Sequence, residues 1–147
     1  MRITNLSNDI FLTLDGDLYL DPESNSDLYI SGPNSNELLE SSVSKRLLST
    51  AGEWDFAPSC GANLIDYVGL PNTRETAAYL ETRVQLSLCG DGLISTADLD
   101  LDTAPLNNNS ILMLMVMKSV QRGTASIVNG WGYDLRDSKM VPRIINL

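Results

Sequence analysis

Residues 96–120, TADLDLDTAPLNNNSILMLMVMKSV, decide how the rest of the chain is read. Ala97, Leu99 and Leu101 alternate with Asp98, Asp100 and Asp102. A period of two sends successive side chains to opposite faces of a strand, so the segment predicts a strand with one wet face. PLNNNS, residues 105–110, is a turn cluster. Ile111 to Met117 are apolar without interruption, the composition of a more completely buried strand. TASIVNGW, residues 124–131, comes after Arg122-Gly123 and predicts a third strand.

Upstream the period changes from two to that of a helix. In residues 31–48, SGPNSNELLESSVSKRLL, Leu39, Val43 and Leu47 are spaced by four and joined by Leu38. Asn34 and Glu37 form a cap signature, Lys45 and Arg46 suit the negative end of the helix dipole, and Gly52 ends the element. A second helix follows Pro71, with Asn72 and Glu75 as its cap and Leu80, Val84 and Leu88 as its buried stripe. Gly90 and Gly92 end it in the left-handed conformation.

The connector between the helices is GEWDFAPSCGANLIDYVGLPNT, residues 52–73. Trp54, Phe56, Leu64 and Ile65 are its expected anchors on the sheet, and Ala62 to Val68 can form a helical turn with Leu64, Ile65 and Val68 inward. At the N-terminus, Ile3, Leu6, Ile10, Leu12 and Leu14 precede the turn signal Asp15-Gly16. Asp-Leu-Tyr recurs at 17 and 27 around a Pro22–Ser26 turn. The expected fold is α+β: two main helices on a small, mostly antiparallel sheet, with an N-terminal β segment. One domain over residues 1–132 is expected to end in an extended C-terminal arm, residues 133–147.

Ten basic and nineteen acidic residues leave a net charge of −9. Phosphate backbones and anionic lipid repel such a chain, so neither nucleic acid nor a membrane is an expected partner. The longest apolar run is far too short to span a bilayer, no segment has the order of a signal peptide, and synthesis in the cytoplasm is expected. The chain contains no histidine, which removes Ser-His-Asp and Cys-His nucleophile systems and His-ligated metals. Cys60 and Cys89 have none of the spacing of a redox or zinc motif and read as free thiols. No cofactor and no metal is expected.

The carboxylates offer two sites to weigh. DLDLD, residues 98–102, lacks the glycine turn and distal Glu of a calcium loop and reads as a solvated strand face. Glu53 beside Trp54 is the Glu with an aromatic neighbour, the setting in which a glycosidase acid is tuned, and the sequence supplies no partner carboxylate for it. Trp131, held between Gly130 and Gly132, is a candidate partner contact, the alternative being a residue of a satellite core.

The order of these pieces resembles the baseplate wedge and sheath-initiator family of contractile phage tails and related injection machines. Its domain has been labelled lysozyme-like. The matching pieces are DGDLYL, then KRLLSTAGEW, FAPSCGANLIDYVGLPNT, RETAAYLETRVQLSL and ILMLMVMKSV, over about residues 9–120. Arg46-Leu47-Leu48-Ser49, Gly52-Glu53-Trp54, Pro58, Gly61 and Pro71-Asn72-Thr73 stand where the family has its helix end, Gly-Glu-aromatic, Pro, Gly and helix start. Family members often carry Glu-Pro-Arg after the second long helix as a grip on neighbouring wedge subunits. Here that place reads Cys89-Gly90-Asp91-Gly92, and Ala57-Pro58 replaces Asp-Pro.

The resemblance implies a structural, non-enzymatic virion protein of the tail baseplate. It would be present in several copies and offer sheet edges to the arms of the tail sheath protein. Its other implied partners are baseplate wedge proteins and the tail tube or hub. Trp54, Pro58, Gly61, Gly90, Asp91, Gly92, Ile127, Trp131 and Tyr133 are the expected partner-interface residues. The alternatives are a peptidoglycan hydrolase of the baseplate, with Glu53 as acid, and an adaptor of a related injection system.

Overall fold

In the computed structural model, the described residues are 9–10, 30–31, 36–118, 126–137 and 139–143. Two helices and a four-stranded antiparallel sheet make up the body, an α+β fold as expected. Strands β1 (Asp9–Ile10) and β2 (Ile30–Ser31) pair antiparallel. Helix α1 spans Asn36–Leu48 and α2 spans Arg74–Cys89, with a 3-10 turn at Leu64–Tyr67 between them. Strands β3 (Leu99–Pro105), β4 (Ser110–Met117), β5 (Ile127–Asp134) and β6 (Met140–Arg143) follow in the spatial order β3-β4-β5-β6. The Asn34 cap, the turns at Asp15-Gly16 and Pro22–Ser26, and residues 144–147 lie outside the described residues.

One face of the sheet meets the helices. On β4 the buried residues are Ile111, Met113, Met115 and Met117, every second position. Cross-strand partners share a face, so Tyr133, Trp131 and Ile127 of β5 stand beside Ile111, Met113 and Met117. The helices supply Leu39, Val43 and Leu47 from α1 and Leu80, Val84 and Leu88 from α2, all in the same core. Both stripes are those read from the spacing. The expectation for β4 is corrected in degree, because Leu112, Leu114 and Val116 are only half-buried on the other face.

Hydrogen bonds fasten α2 to the sheet at two levels. The Thr103 hydroxyl lies 3.0 Å from the Ala77 carbonyl and 2.9 Å from a Glu81 carboxylate oxygen. At the helix entry, Asn72 Nδ2 donates to the carbonyls of Asn107 and Ser110 in the β3–β4 turn. Asn72 is therefore not the cap. Thr73 takes that role, its hydroxyl accepting from the Thr76 N–H at 3.2 Å. At the other end Gly90 is right-handed, and among the two expected terminators only Gly92, at φ 81°, is left-handed.

The boundary expected after residue 132 is corrected, because it falls inside β5. Tyr133 is fully buried, and its hydroxyl donates to the Leu64 carbonyl. Leu135 is buried as well, and its carbonyl accepts from Gly69 N–H at 2.8 Å. Asp134 N–H donates to Lys139 O at 2.9 Å, and the chain returns as β6, which pairs with Gly130 to Tyr133. Sparse periodicity made this segment read as an arm; Tyr133 and Leu135 are core because one face of β5 closes on the connector.

Candidate functional site

The nine expected interface residues separate into three places. Ile127, Trp131 and Tyr133 lie on the helix-facing side of β5 and are buried, Trp131 being 1% exposed. They are withdrawn from any surface of this fold. The reason is the alternation of β5: Gly130 and Gly132 sit on the opposite face, cross-strand from Leu114 and Leu112, so Trp131 points into the core. Trp131 Nε1 and Asn129 Nδ2, two residues apart on the core side, are both buried without a hydrogen-bond partner among the described residues.

Gly90, Asp91 and Gly92 form the exposed end of α2. A carboxylate oxygen of Asp91 lies 2.5 Å from Arg46 Nη2, while Arg46 Nη1 donates to the Ser87 carbonyl at 2.8 Å. The other Asp91 oxygen accepts from Leu93 N–H. Arg46 thus ties the last turn of α1 to the last turn of α2, an internal fastening that the sequence reading missed. Beside it, burial pushes the Cys89 thiol above its ordinary range. Neither Cys60 nor Cys89 is in a disulfide.

Trp54, Pro58 and Gly61 belong to the connector, whose two parts behave differently. From Ala62 to Leu70 it is bonded to the body: Ala62 N–H donates to Arg46 O at 2.9 Å, and Tyr133 and Leu135 hold Leu64 and Gly69. Here Leu64 is buried, but Ile65 and Val68 are exposed, against expectation. In the 3-10 turn Ile65 is rotated a third of a turn from Leu64, and Val68 lies beyond the turn in extended backbone. From Thr50 to Cys60 no residue is buried. Trp54 and Phe56 are exposed rather than anchored, their rings meeting edge to face with centroids 5.4 Å apart. The signal that could have found this is local: Asp55 and Pro58 flank Phe56 in a turn-rich stretch that has no apolar period.

Glu53 lies exposed in that loop, and its carboxylate accepts from the Thr50 N–H at 3.0 Å. It therefore stands in water, without the apolar enclosure in which a glycosidase acid sits. On the strand, Asp100 and Asp102 are exposed as read, but Asp98 is buried, ion-paired with Lys118 at 3.1 Å. It precedes β3, so the alternation does not govern it. Among the described residues no three His, Cys, Asp or Glu gather in a way that could hold a metal ion, and no helix is long and apolar enough to cross a membrane.

Two features of the described surface bear on contact with another molecule. One is β3, at the edge of the four-stranded sheet, with no strand on its outer side among the described residues. The other is the aromatic loop. Comparison of the chain with family models, with curated proteins and with solved structures gave no match.

Proposed function

We propose that the chain is a structural, non-enzymatic component of a contractile tail baseplate. In this reading it nucleates the sheath by accepting a strand from a sheath arm and also contacts wedge proteins. The ordered sequence resemblance supports the identity of the machine, and the observation that carries the mode of action is the β3 edge. It is seven residues long, and its only proline is the last residue, Pro105. β6, at the opposite edge, has four residues and includes Pro142, which lacks an N–H to donate.

An unpaired edge offers main-chain donors and acceptors to an incoming strand. Each hydrogen bond contributes about 0.5–1.5 kcal/mol net, so several together hold an arm under load. Asp100 and Asp102 lie on the face away from the helices, where they resist pairing between two copies of this acidic strand. They also favour an arm with basic residues at the facing positions. The test is assembly without the protein: tails should form a tube with no ordered sheath, and normal sheath polymerisation defeats the reading.

A further inference from the structure

The outer part of the connector is a loop whose ends meet. Ala62 N–H donates to Ser49 O at 3.2 Å as well as to Arg46 O, so residues 49–62 close on themselves. Within it, Gly52 N–H bonds Pro58 O at 2.9 Å, Ala57 N–H bonds Trp54 O at 3.0 Å, and Cys60 N–H bonds Ala57 O at 2.9 Å. Ala51 N–H donates to the Asn63 side chain, and Trp54 Nε1 donates to Ser49 Oγ at 3.1 Å. Gly61 completes the closure at φ 136°, where a Cβ would come within 2.6 Å of Ala51 N and Thr50 C. The loop's shape is thus held by hydrogen bonds, most of them between backbone groups, and not by burial of its aromatic rings.

Those side chains face water instead. Phe56 is 84% exposed and Trp54 43% exposed. With Lys45, Ser49, Ala57 and Cys60 they border an open hollow of about 390 Å³. A ring left in water does little for the fold, yet a loop fixed before binding lowers the entropy lost on docking. Tryptophan and other aromatic residues held this way are frequent centres of binding energy.

We propose that the Trp54–Phe56 pair is a docking site for an arginine-bearing segment of a basic protein partner. The charge around it selects that occupant. The loop carries two exposed carboxylates, Glu53 and Asp55, on either side of Trp54, while Lys45 is the charged residue in the hollow's own lining, and the whole chain bears −9. A guanidinium stacks on aromatic faces and pairs with carboxylates at the same time, which an ammonium does less well. Acidic segments and anionic lipid are repelled. The site uses no residue of the β3 edge, so it stands or falls separately from strand addition.

The probe is a capped Ala-Arg-Leu-Arg-Ala peptide titrated into the full chain, with the two indole N–H signals followed by NMR. The Trp54 signal should move saturably while that of buried Trp131 stays in place. Phe56→Ala should weaken binding by about tenfold or more and leave the thermal midpoint unchanged. The lysine version of the peptide should bind more weakly, and the glutamate version not at all. No saturable shift at millimolar peptide, or equal affinity for the Phe56→Ala chain, overturns the proposal. So does binding to phosphatidylcholine vesicles in place of the peptide, or self-association that Phe56→Ala abolishes, since these assign the rings to lipid or to a second copy.

Discussion

The two tryptophans meet opposite conditions. Trp131 is buried with its indole N–H unpartnered among the described residues, whereas Trp54 is exposed with its N–H bonded to Ser49. The ring surface of Trp131 is removed from water and contributes to the fold; the cost of its orphaned donor is offset by that burial. Trp54 has the reverse assignment, a satisfied polar group and a wet ring. The β5 indole serves the interior, whereas the loop indole keeps much of its ring in water.

The largest expected effect comes from breaking the β5 side of this contrast. Deleting residues 133–147 removes Tyr133 and Leu135 from the core, and with them the bonds to Leu64 and Gly69. Cooperative thermal unfolding should disappear; a transition close to that of the intact chain would show that β5 can end at Gly132. A smaller but clear effect should separate the indoles themselves. Trp131→Ala should cost about 3–5 kcal/mol in denaturant unfolding, and Trp54→Ala about 1 kcal/mol or less, the value of one exposed hydrogen bond. Equal losses would erase the distinction.

The smallest effect concerns α1, which packs against the same core. Burial, helped by the nearby Glu37 carboxylate, holds the Glu40 carboxyl above its ordinary range. A raised value in the folded state means that the fold binds this proton more tightly than the unfolded chain does. The group's contribution is therefore greatest below the ordinary carboxylate range and falls as pH rises through the folded value. Glu40→Gln should raise the thermal midpoint slightly at about pH 7, and the gain should shrink by about pH 4. A gain that instead grows on acidification would reverse the assigned sign.

Much of the architecture was legible because it rests on short-range periodicity. Leu39, Val43 and Leu47, and again Leu80, Val84 and Leu88, are buried where their spacing put them. The hairpin of β3 and β4 follows from alternation and the Asn-rich turn, where Asn107 Oδ1 accepts from both Asn109 and Ser110 N–H at 2.9 Å. Less legible were the residues whose fate depends on a distant segment. Asn72 looked like a cap, but the β3–β4 turn claims its side chain, and Thr73 caps instead. Asp98 looked solvated, but Lys118, arriving from the end of β4, covers it.

The interface residues divide along the same line. Glycines beside Trp131 suggested presentation because flanking residues are all that a linear reading sees. In the sheet those glycines occupy the other face, and Trp131 is enclosed by elements remote in the chain. Phe56 was read as an anchor because it is aromatic, although the hydrogen bonds of its own loop hold it outward.

By itself the sequence determined the α+β class, the helix stripes, the two strands around the Asn-rich turn, the strongly acidic surface and the absence of histidine chemistry. Those properties follow from composition and from periods of a few residues. Only the tertiary structure decided which aromatic rings are interior and that Tyr133 and Leu135 belong to the core. The physical reason is that burial is set by what packs from afar: the Tyr133 hydroxyl finds its acceptor at Leu64, 69 residues away, a distance over which no local pattern carries information.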